Sequence, residues 1–285
     1  MIPLPMKTSL EHLPEKKQQQ LRALAGLICA EAEVEMVILF GSYARGDWVE
    51  DAEGGYFSDF DVLAIVKSQT MVDKLNLWSK IEDRARKVTG PTALSLIVHD
   101  IKDVNEQLEK GFYFFSDIRK EGIVIYDSGR FHLAEAKERP LAERKAQAQV
   151  WFEQWFESAV HFDETHEFSV SKGRFKEAAF LLHQSTERLY HCALLVLTAY
   201  KPKVHNLEDL GKRAGDLHPA LRNVFPRGNT EDDRLFKLLK HAYVDARYDP
   251  KFTITREELA TLAGHVRVLR ERVEQVCRER IAGMG

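Results

Sequence analysis

Cysteine is scarce in this chain, and the three present, Cys29, Cys192 and Cys277, are odd in number and far apart. That excludes a disulfide framework and a zinc-knuckle spacing, and each cysteine sits in a helix-like apolar pattern that reads as a buried thiol. Long apolar runs are missing too. Nothing reaches the about 18 consecutive residues that mark a membrane-spanning helix, so no membrane role is expected. The start, Met1-Ile2-Pro3-Leu4-Pro5, lacks the basic region and apolar core of a secretory signal, and a cytoplasmic location is the expectation. Charge of one sign is not in excess either: the net charge is −3 and neither half is strongly basic. A nonspecific nucleic-acid binder advertises a basic surface, so nucleic acid remains open as a partner without being indicated by charge. Internal repeats and low-complexity tracts are absent.

What is present is 285 residues with 44% hydrophobic and 30% charged side chains, enough for two domains that each bury a core. The first part alternates patterns. Pro14 to Glu33 has helical spacing (Leu21, Leu24, Ala25, Ile28), Glu35 to Phe40 is a short apolar run, and Phe60 to Val66 is a second strand. A helix follows over Val72 to Val88, then strands over Ala93 to His99 and Gly122 to Tyr126. From Arg130 onward strand signals vanish. Helical patterns span Leu141 to Phe162, Phe175 to Tyr200, Leu207 to Ala214, Asp232 to Ala246 and Arg256 to Arg280, the last opened by Thr255 as N-cap. The Asp127-Ser128-Gly129 turn marks the boundary, which predicts domains over 1–129 and 130–285.

The informative segment is Leu39-Phe40-Gly41-Ser42-Tyr43-Ala44-Arg45-Gly46-Asp47, followed by a polar loop and then Ser58-Asp59-Phe60-Asp61-Val62-Leu63. A strand that ends in Gly-Ser and enters a helical turn offers unpaired amides and a hydroxyl to an anion, and Gly41 lets a phosphate approach the backbone. Asp59 and Asp61, two apart at the head of a strand, point to one face while Phe60 and Val62 point to the other. Two carboxylates on one face repel unless a cation lies between them, and hard oxygen ligands suit magnesium bridging nucleotide phosphates. The bland alternative is an Asp-rich turn beside an ordinary strand; the two motifs in this order, each at a strand edge, favour the functional reading.

At these residues the sequence resembles the minimal nucleotidyltransferases of the DNA polymerase beta superfamily, with their Gly-Ser turn followed by Asp-x-Asp. The resemblance implies that Asp59 and Asp61 coordinate Mg2+ or Mn2+ as catalytic residues. It also implies that Gly41, Ser42, Arg45 and Ser58 bind ATP or another nucleoside triphosphate, and that the reaction is in-line displacement of pyrophosphate. The loop from Asp47 to Phe57 is longer than in the smallest members. Active members also add a third carboxylate from a neighbouring strand. Here that strand is Ala93 to His99, which holds no acid. Asp100 at its end is a possible third acid, or equally the cap of the next helix; Ser95 or His99 could face the site, and an acid could come from the helical part.

In the second half, Phe180-Leu181-Leu182-His183-Gln184-Ser185-Thr186-Glu187-Arg188-Leu189-Tyr190, His205-Asn206-Leu207 and Tyr243-Val244-Asp245-Ala246-Arg247-Tyr248 resemble the HEPN helical bundles that accompany such transferases. Ribonuclease members place a histidine several residues after an arginine, and Arg247-Tyr248-Asp249-Pro250-Lys251-Phe252 has none. His183, Glu187 and His191 form a helical stripe readable as a metal site or, more plainly, a polar groove between helices. Arg247 and Tyr248 are possible contacts to nucleotide or acceptor, with helix capping as the alternative. Trp151 and Trp155 read as core or dimer contacts.

The expectation is therefore an α+β chain: a nucleotidyltransferase domain with a small mixed sheet, then an all-α HEPN-like bundle that helps form or cap the active site. The expected reaction moves a nucleoside monophosphate, AMP from ATP, to an acceptor hydroxyl with release of pyrophosphate. Two other readings stand beside it: a toxin-antitoxin-like regulator whose helical domain binds a partner or RNA, and an inactive nucleotide-binding sensor. The acceptor stays open among antibiotic, protein and RNA, and a homodimer is compatible with the long amphipathic helices.

Overall fold

A computed structural model describes residues 6–51 and 56–284. The reading of Met1 to Pro5 and the centre of the Asp47 to Phe57 loop lie outside the described residues. The chain divides into two compact units, Met1–Arg139 and Pro140–Gly285.

In the first unit, α1 (Glu15–Glu31) begins after Pro14 and buries Leu21, Leu24, Ala25 and Ile28, the one-sided stripe that a 3.6-residue period produces. The chain then forms β1 (Val34–Phe40), the short α2 (Gly41–Arg45), the two-residue strands β2 (Glu50–Asp51) and β3 (Tyr56–Phe57), and β4 (Phe60–Val66). Next come α3 (Gln69–Val72), α4 (Leu75–Thr89), β5 (Leu94–Asp100), α5 (Ile101–Glu109), α6 (Tyr113–Glu121) and β6 (Ile123–Asp127). The main sheet has the order β5-β4-β1-β6. β1 runs antiparallel to β4 and β6, and β5 runs parallel to β4. A parallel neighbour needs a crossover, which α3 and α4 supply.

Strand alternation divides the sheet between two helical layers. Val37, Leu39, Phe60, Val62, Ala64 and Val66 join the core with Leu21, Leu24 and Ile28 of α1 and Trp78, Ile81 and Ala85 of α4. The intervening residues, Ile38, Leu63, Ile65 and Ile97, are buried as well, and α5 and α6 lie against β1, β4 and β5. Both faces are covered, so the strands read as near-continuous apolar runs. After β6 the chain stays on this unit: Lys137 N donates to Leu108 O at 3.0 Å, and Ala134 N to Asn105 Oδ1 at 2.7 Å.

The second unit contains no strand among its described residues. It is built from α7 (Leu141–Ser171), α8 (Phe175–Thr198), α9 (Leu207–Leu217), a 3-10 turn (Pro219–Leu221), α10 (Thr230–His241), α11 (Asp245–Tyr248) and α12 (Arg256–Ala282). α8 is the central rod, touching α7, α9, α10, α11 and α12. The α7–α8 hairpin turns at Gly173, whose φ of 71° suits a residue without a Cβ. Thr255 opens α12 in a reciprocal capping box with Glu258. Cys192 and Cys277 are free buried thiols, whereas Cys29 is only half-buried, a correction to the expectation of three buried ones. No described helix is long and apolar enough to cross a membrane.

Candidate active site

The β1–β4 ladder pairs Phe40 with Asp61, which sets the residue after Phe40 directly beside that carboxylate. Gly41 has a φ of 71°, and a Cβ added to it would lie 2.2 Å from Asp61 Oδ2 and 2.9 Å from its Cγ. Glycine is thus required twice here, by backbone conformation and by the carboxylate occupying the space of a side chain. No side chain caps α2, so the first amides of the Gly-Ser turn have no intrahelical acceptor. The helix has five residues, too few for a developed dipole, and any attraction for an anion comes from those amides themselves. Ser42 follows in the same turn, and its carbonyl accepts from Gly46 N (2.9 Å) and Asp47 N (3.1 Å).

Asp59 is nine-tenths buried just before β4. Phe60 between the aspartates packs wholly into the α1 and α4 core, so alternation turns Asp59 to the side of Asp61. Ser58 anchors the loop before them: its N donates to Val49 O at 2.8 Å, and its Oγ accepts from Val49 N at 2.9 Å. Arg45 pairs on the exposed flank with Asp47, Nε to Oδ2 at 3.2 Å. Such an exposed pair is worth about 0–1 kcal/mol and is cheap to exchange for a ligand.

Tyr43 and Lys17 hold this arrangement together, and sequence reasoning missed both. Tyr43 is fully buried, stacked on Trp48 at 5.4 Å and tilted against Phe60 at 4.7 Å. Its carbonyl lies 2.8 Å from His12 Nε2. Lys17 Nζ donates to Tyr43 Oη at 3.1 Å and to Thr92 Oγ1 at 2.6 Å, and pairs with Glu50 Oε1 at 2.5 Å. One ammonium thereby ties α1, α2, β2 and the turn into β5. Burial alone would lower the Lys17 pKa, but its bonds to Glu50 and Tyr43 outweigh burial and leave it raised. The Lys17 bond holds Glu50 below the ordinary carboxylate value. A lysine in a polar helix start carries no sequence signal of such a role.

The residue on the neighbouring strand that could have supplied a third carboxylate beside Asp61 is a serine. The parallel ladder sets Ser95 opposite Asp61, on the same face and about 4.8 Å away across the sheet. Ser95 is 7% exposed, and its buried Oγ has no hydrogen-bond partner. Leaving a buried hydroxyl unpaired costs about 1–3 kcal/mol, so the group is poised for a partner. Asp100 does not fill the role. It pairs with Val66 at the other end of the ladder, about 16 Å from Asp61 along the strand, and its carboxylate caps α5 by accepting from Lys102 N and Asp103 N. His99 is also displaced along the ladder, opposite Ile65, with Nδ1 2.6 Å from Asp103 Oδ2.

Among the described residues no three His, Cys, Asp or Glu side chains gather as a metal cluster. Two carboxylates with a hydroxyl still fit a magnesium ion that arrives with phosphate oxygens, since Mg2+ is commonly held by one or two carboxylates plus substrate phosphates.

The same measure applies to the helical stripe. Glu187 is the hub: His205 Nδ1 lies 3.1 Å from its Oε1, while His183 and His191 Nδ1 each stand 3.8 Å from its carboxylate. Both nitrogens of His191 and Nε2 of His183 are buried without a good partner. Tyr243 stacks on His205 at 4.8 Å and tilts over His183 at 5.3 Å. The cluster is a polar stripe along α8, with Glu187 between the two histidines. Arg247 Nε donates to Tyr243 O at 2.6 Å while its guanidinium lies over Tyr243 and Phe180, so it satisfies a carbonyl one turn back. Tyr248 is 72% exposed. Trp155 packs partly buried, with Arg188 over its ring at 4.7 Å.

Residues 24–130 match the family described as Polymerase beta, Nucleotidyltransferase, and residues 152–276 match the HEPN domain. The chain carries a nucleotidyltransferase domain followed by a HEPN domain. No curated protein matches it. The crystal structure of a nucleotidyltransferase-like protein from Exiguobacterium sibiricum 255-15 is similar over 92% of this chain and 74% of its own, at 13% identity and a TM-score of 0.26. That likeness is too loose to carry structural detail. Gly41, Ser42, Asp59, Asp61 and Ser95 all fall inside the nucleotidyltransferase match, and the Glu187 cluster falls inside the HEPN match.

Two expectations follow from the geometry. Gly41→Ala forces a methyl onto the Asp61 carboxylate, so it should cost nucleotide binding at least about tenfold, beyond the about 1–3 kcal/mol of stability typical of overpacking; equal binding by both proteins in a fluorescent-nucleotide titration would refute the close approach. In the HEPN domain, burial pushes the His183 pKa down to about 3 with help from His205 and Arg247. His191 is likewise lowered to about 3 by burial and by Lys201, His205 and Arg188. From 6.5 down to about 3 the unfolded chain binds protons that the native rings refuse, so stability is lost as pH falls through that window. The slope is up to about 1.4 kcal/mol per pH unit for each ring. Urea unfolding at pH 7, 6 and 5 should show this decline, reduced in His191→Leu; a wild-type stability independent of pH would contradict the buried neutral rings.

Proposed function

We propose that the first domain transfers a nucleoside monophosphate, AMP from ATP, to an acceptor hydroxyl. The observation that carries this reading is the Gly41–Asp61 approach, which sets a glycine turn with open amides against a carboxylate pair, the combination that polyphosphate with a divalent cation demands. In this reading the Gly41 and Ser42 turn cradles the triphosphate, and Arg45 leaves its weak pair with Asp47 to meet phosphate oxygens. Ser58 fixes the loop so that Asp59 stays beside Asp61. Asp59 and Asp61 hold Mg2+ or Mn2+, which when bound stabilises charge developing on the pyrophosphate leaving group. The acceptor hydroxyl gives its proton to solvent water as its oxygen forms a bond to the α-phosphorus, and the bond from that phosphorus to the oxygen bridging to the β-phosphate breaks, so that pyrophosphate leaves. Acceptor specificity lies in cleft shape rather than in these residues.

Ser95 favours a second reading, a domain that binds nucleotide without turning it over. A serine opposite Asp61 cannot take the proton of an attacking hydroxyl as a carboxylate would. Incubation of the full chain with α-labelled ATP, Mg2+ and a panel of small-molecule, protein and RNA acceptors separates the two. Label transfer with pyrophosphate release supports the transferase, whereas nucleotide binding without release supports the sensor. Asp59→Ala with Asp61→Ala should abolish metal-dependent nucleotide binding while circular dichroism stays native. Undiminished binding by that double variant would sink both readings.

A further inference from the structure

We propose that this domain takes up its divalent cation only together with a nucleoside triphosphate, because Ser95 stands buried and unpartnered opposite Asp61 where a third carboxylate would let the metal bind alone. The inference rests on the nucleotide-site reading above and deepens it.

Three observations carry it. The ladder sets Ser95 across from Asp61 on one face. Ser95 is more than nine-tenths buried and its Oγ lacks a partner. No third acidic or histidine ligand joins the aspartates among the described residues. Mg2+ is strongly hydrated and gives up water reluctantly, so affinity for the free ion depends on how many charged oxygens the protein supplies. Two carboxylates neutralise the ion but leave most of its octahedral shell to water. A triphosphate that meets the Gly41 and Ser42 amides supplies further charged oxygens at the same place, and the metal is then shared between protein and nucleotide. The Ser95 hydroxyl, a donor and an acceptor, suits a hydrogen bond to a water of that shell. Serine has a second consequence. A third carboxylate this deeply buried, about 4.8 Å from Asp61, would repel its neighbours in the empty domain, whereas a neutral hydroxyl leaves the empty site tolerable.

The test uses full-length protein and Mn2+ as the probe, with free ion followed by electron paramagnetic resonance, alone and with adenosine 5′-(α,β-methylene)triphosphate. Wild type should show no saturable Mn2+ binding alone and clear binding with the analogue. Ser95→Asp should bind Mn2+ without nucleotide at least about tenfold more tightly than wild type, and Mn2+ alone should raise its melting temperature but not that of wild type. Ser95→Ala should match wild type without nucleotide. Wild type holding Mn2+ alone as tightly as with the analogue, or Ser95→Asp binding no better than wild type, overturns the inference while leaving the nucleotide site standing. Failure of wild type to bind the Mn2+–analogue pair overturns both. Should Ser95→Asp not fold, the two wild-type titrations still decide.

Discussion

The first domain depends on the packing of a carboxylate against a glycine that has no side chain to resist it. Asp61 Oδ2 occupies the space where a Gly41 Cβ would stand, and the antiparallel ladder between Phe40 and Asp61 makes that encounter unavoidable. Everything nearby preserves it. Phe60 is locked in the core, so the flanking aspartates cannot rotate away. Ser58 closes the loop behind Asp59 through two bonds with Val49. Lys17 and Tyr43 clamp the turn from the other side, joining segments distant in sequence through one half-buried ammonium and one phenol. A binding site held by rigid strands and a filled core spends little free energy on ordering itself when a ligand arrives.

Much of this was legible in the chain because it is written in short-range patterns. The apolar run of 34–40 and the alternation around Phe60 and Val62 announce strands, and Asp59 and Asp61 at spacing two must share a face. A helical bundle was legible from helical periodicity, down to Thr255 as the α12 cap, and its likeness to HEPN domains from the residues around His183, His205 and Arg247. What stayed hidden depends on pairing register or on distant partners. Nothing in the string Leu94-Ser95-Leu96-Ile97-Val98-His99-Asp100 says which residue meets Asp61; the ladder selects Ser95 and sends Asp100 to the far end, where its local chemistry as a helix cap prevails. Helices α5 and α6 were largely invisible because each has only nine residues; α5 buries just Ile101, Val104 and Leu108, and α6 packs through aromatic rings such as Phe114 against Phe40. Lys17 looks like any lysine at a polar helix start.

The HEPN domain has a different economy. Its central helix buries a polar stripe, and the Glu187 charge is answered by His205 at 3.1 Å while His183 and His191 stay neutral beside it. Burial also draws Lys201 below its ordinary pKa, although the Glu187 charge opposes the shift. Buried polar networks of this kind add little net stability but favour one packing over alternatives. The aromatic ring of Tyr243 completes the stripe, stacking on His205 and tilting over His183.

The central claim is that one turn and one strand head form a joint site for polyphosphate and cation. Its most direct test is an anomalous-scattering map from crystals of the full chain grown with Mn2+ and the α,β-methylene analogue of ATP. The account expects a manganese peak bridging Asp59 and Asp61 to phosphate oxygens that rest on the Gly41 and Ser42 amides. A nucleotide bound elsewhere, or manganese that ignores both aspartates, would contradict it.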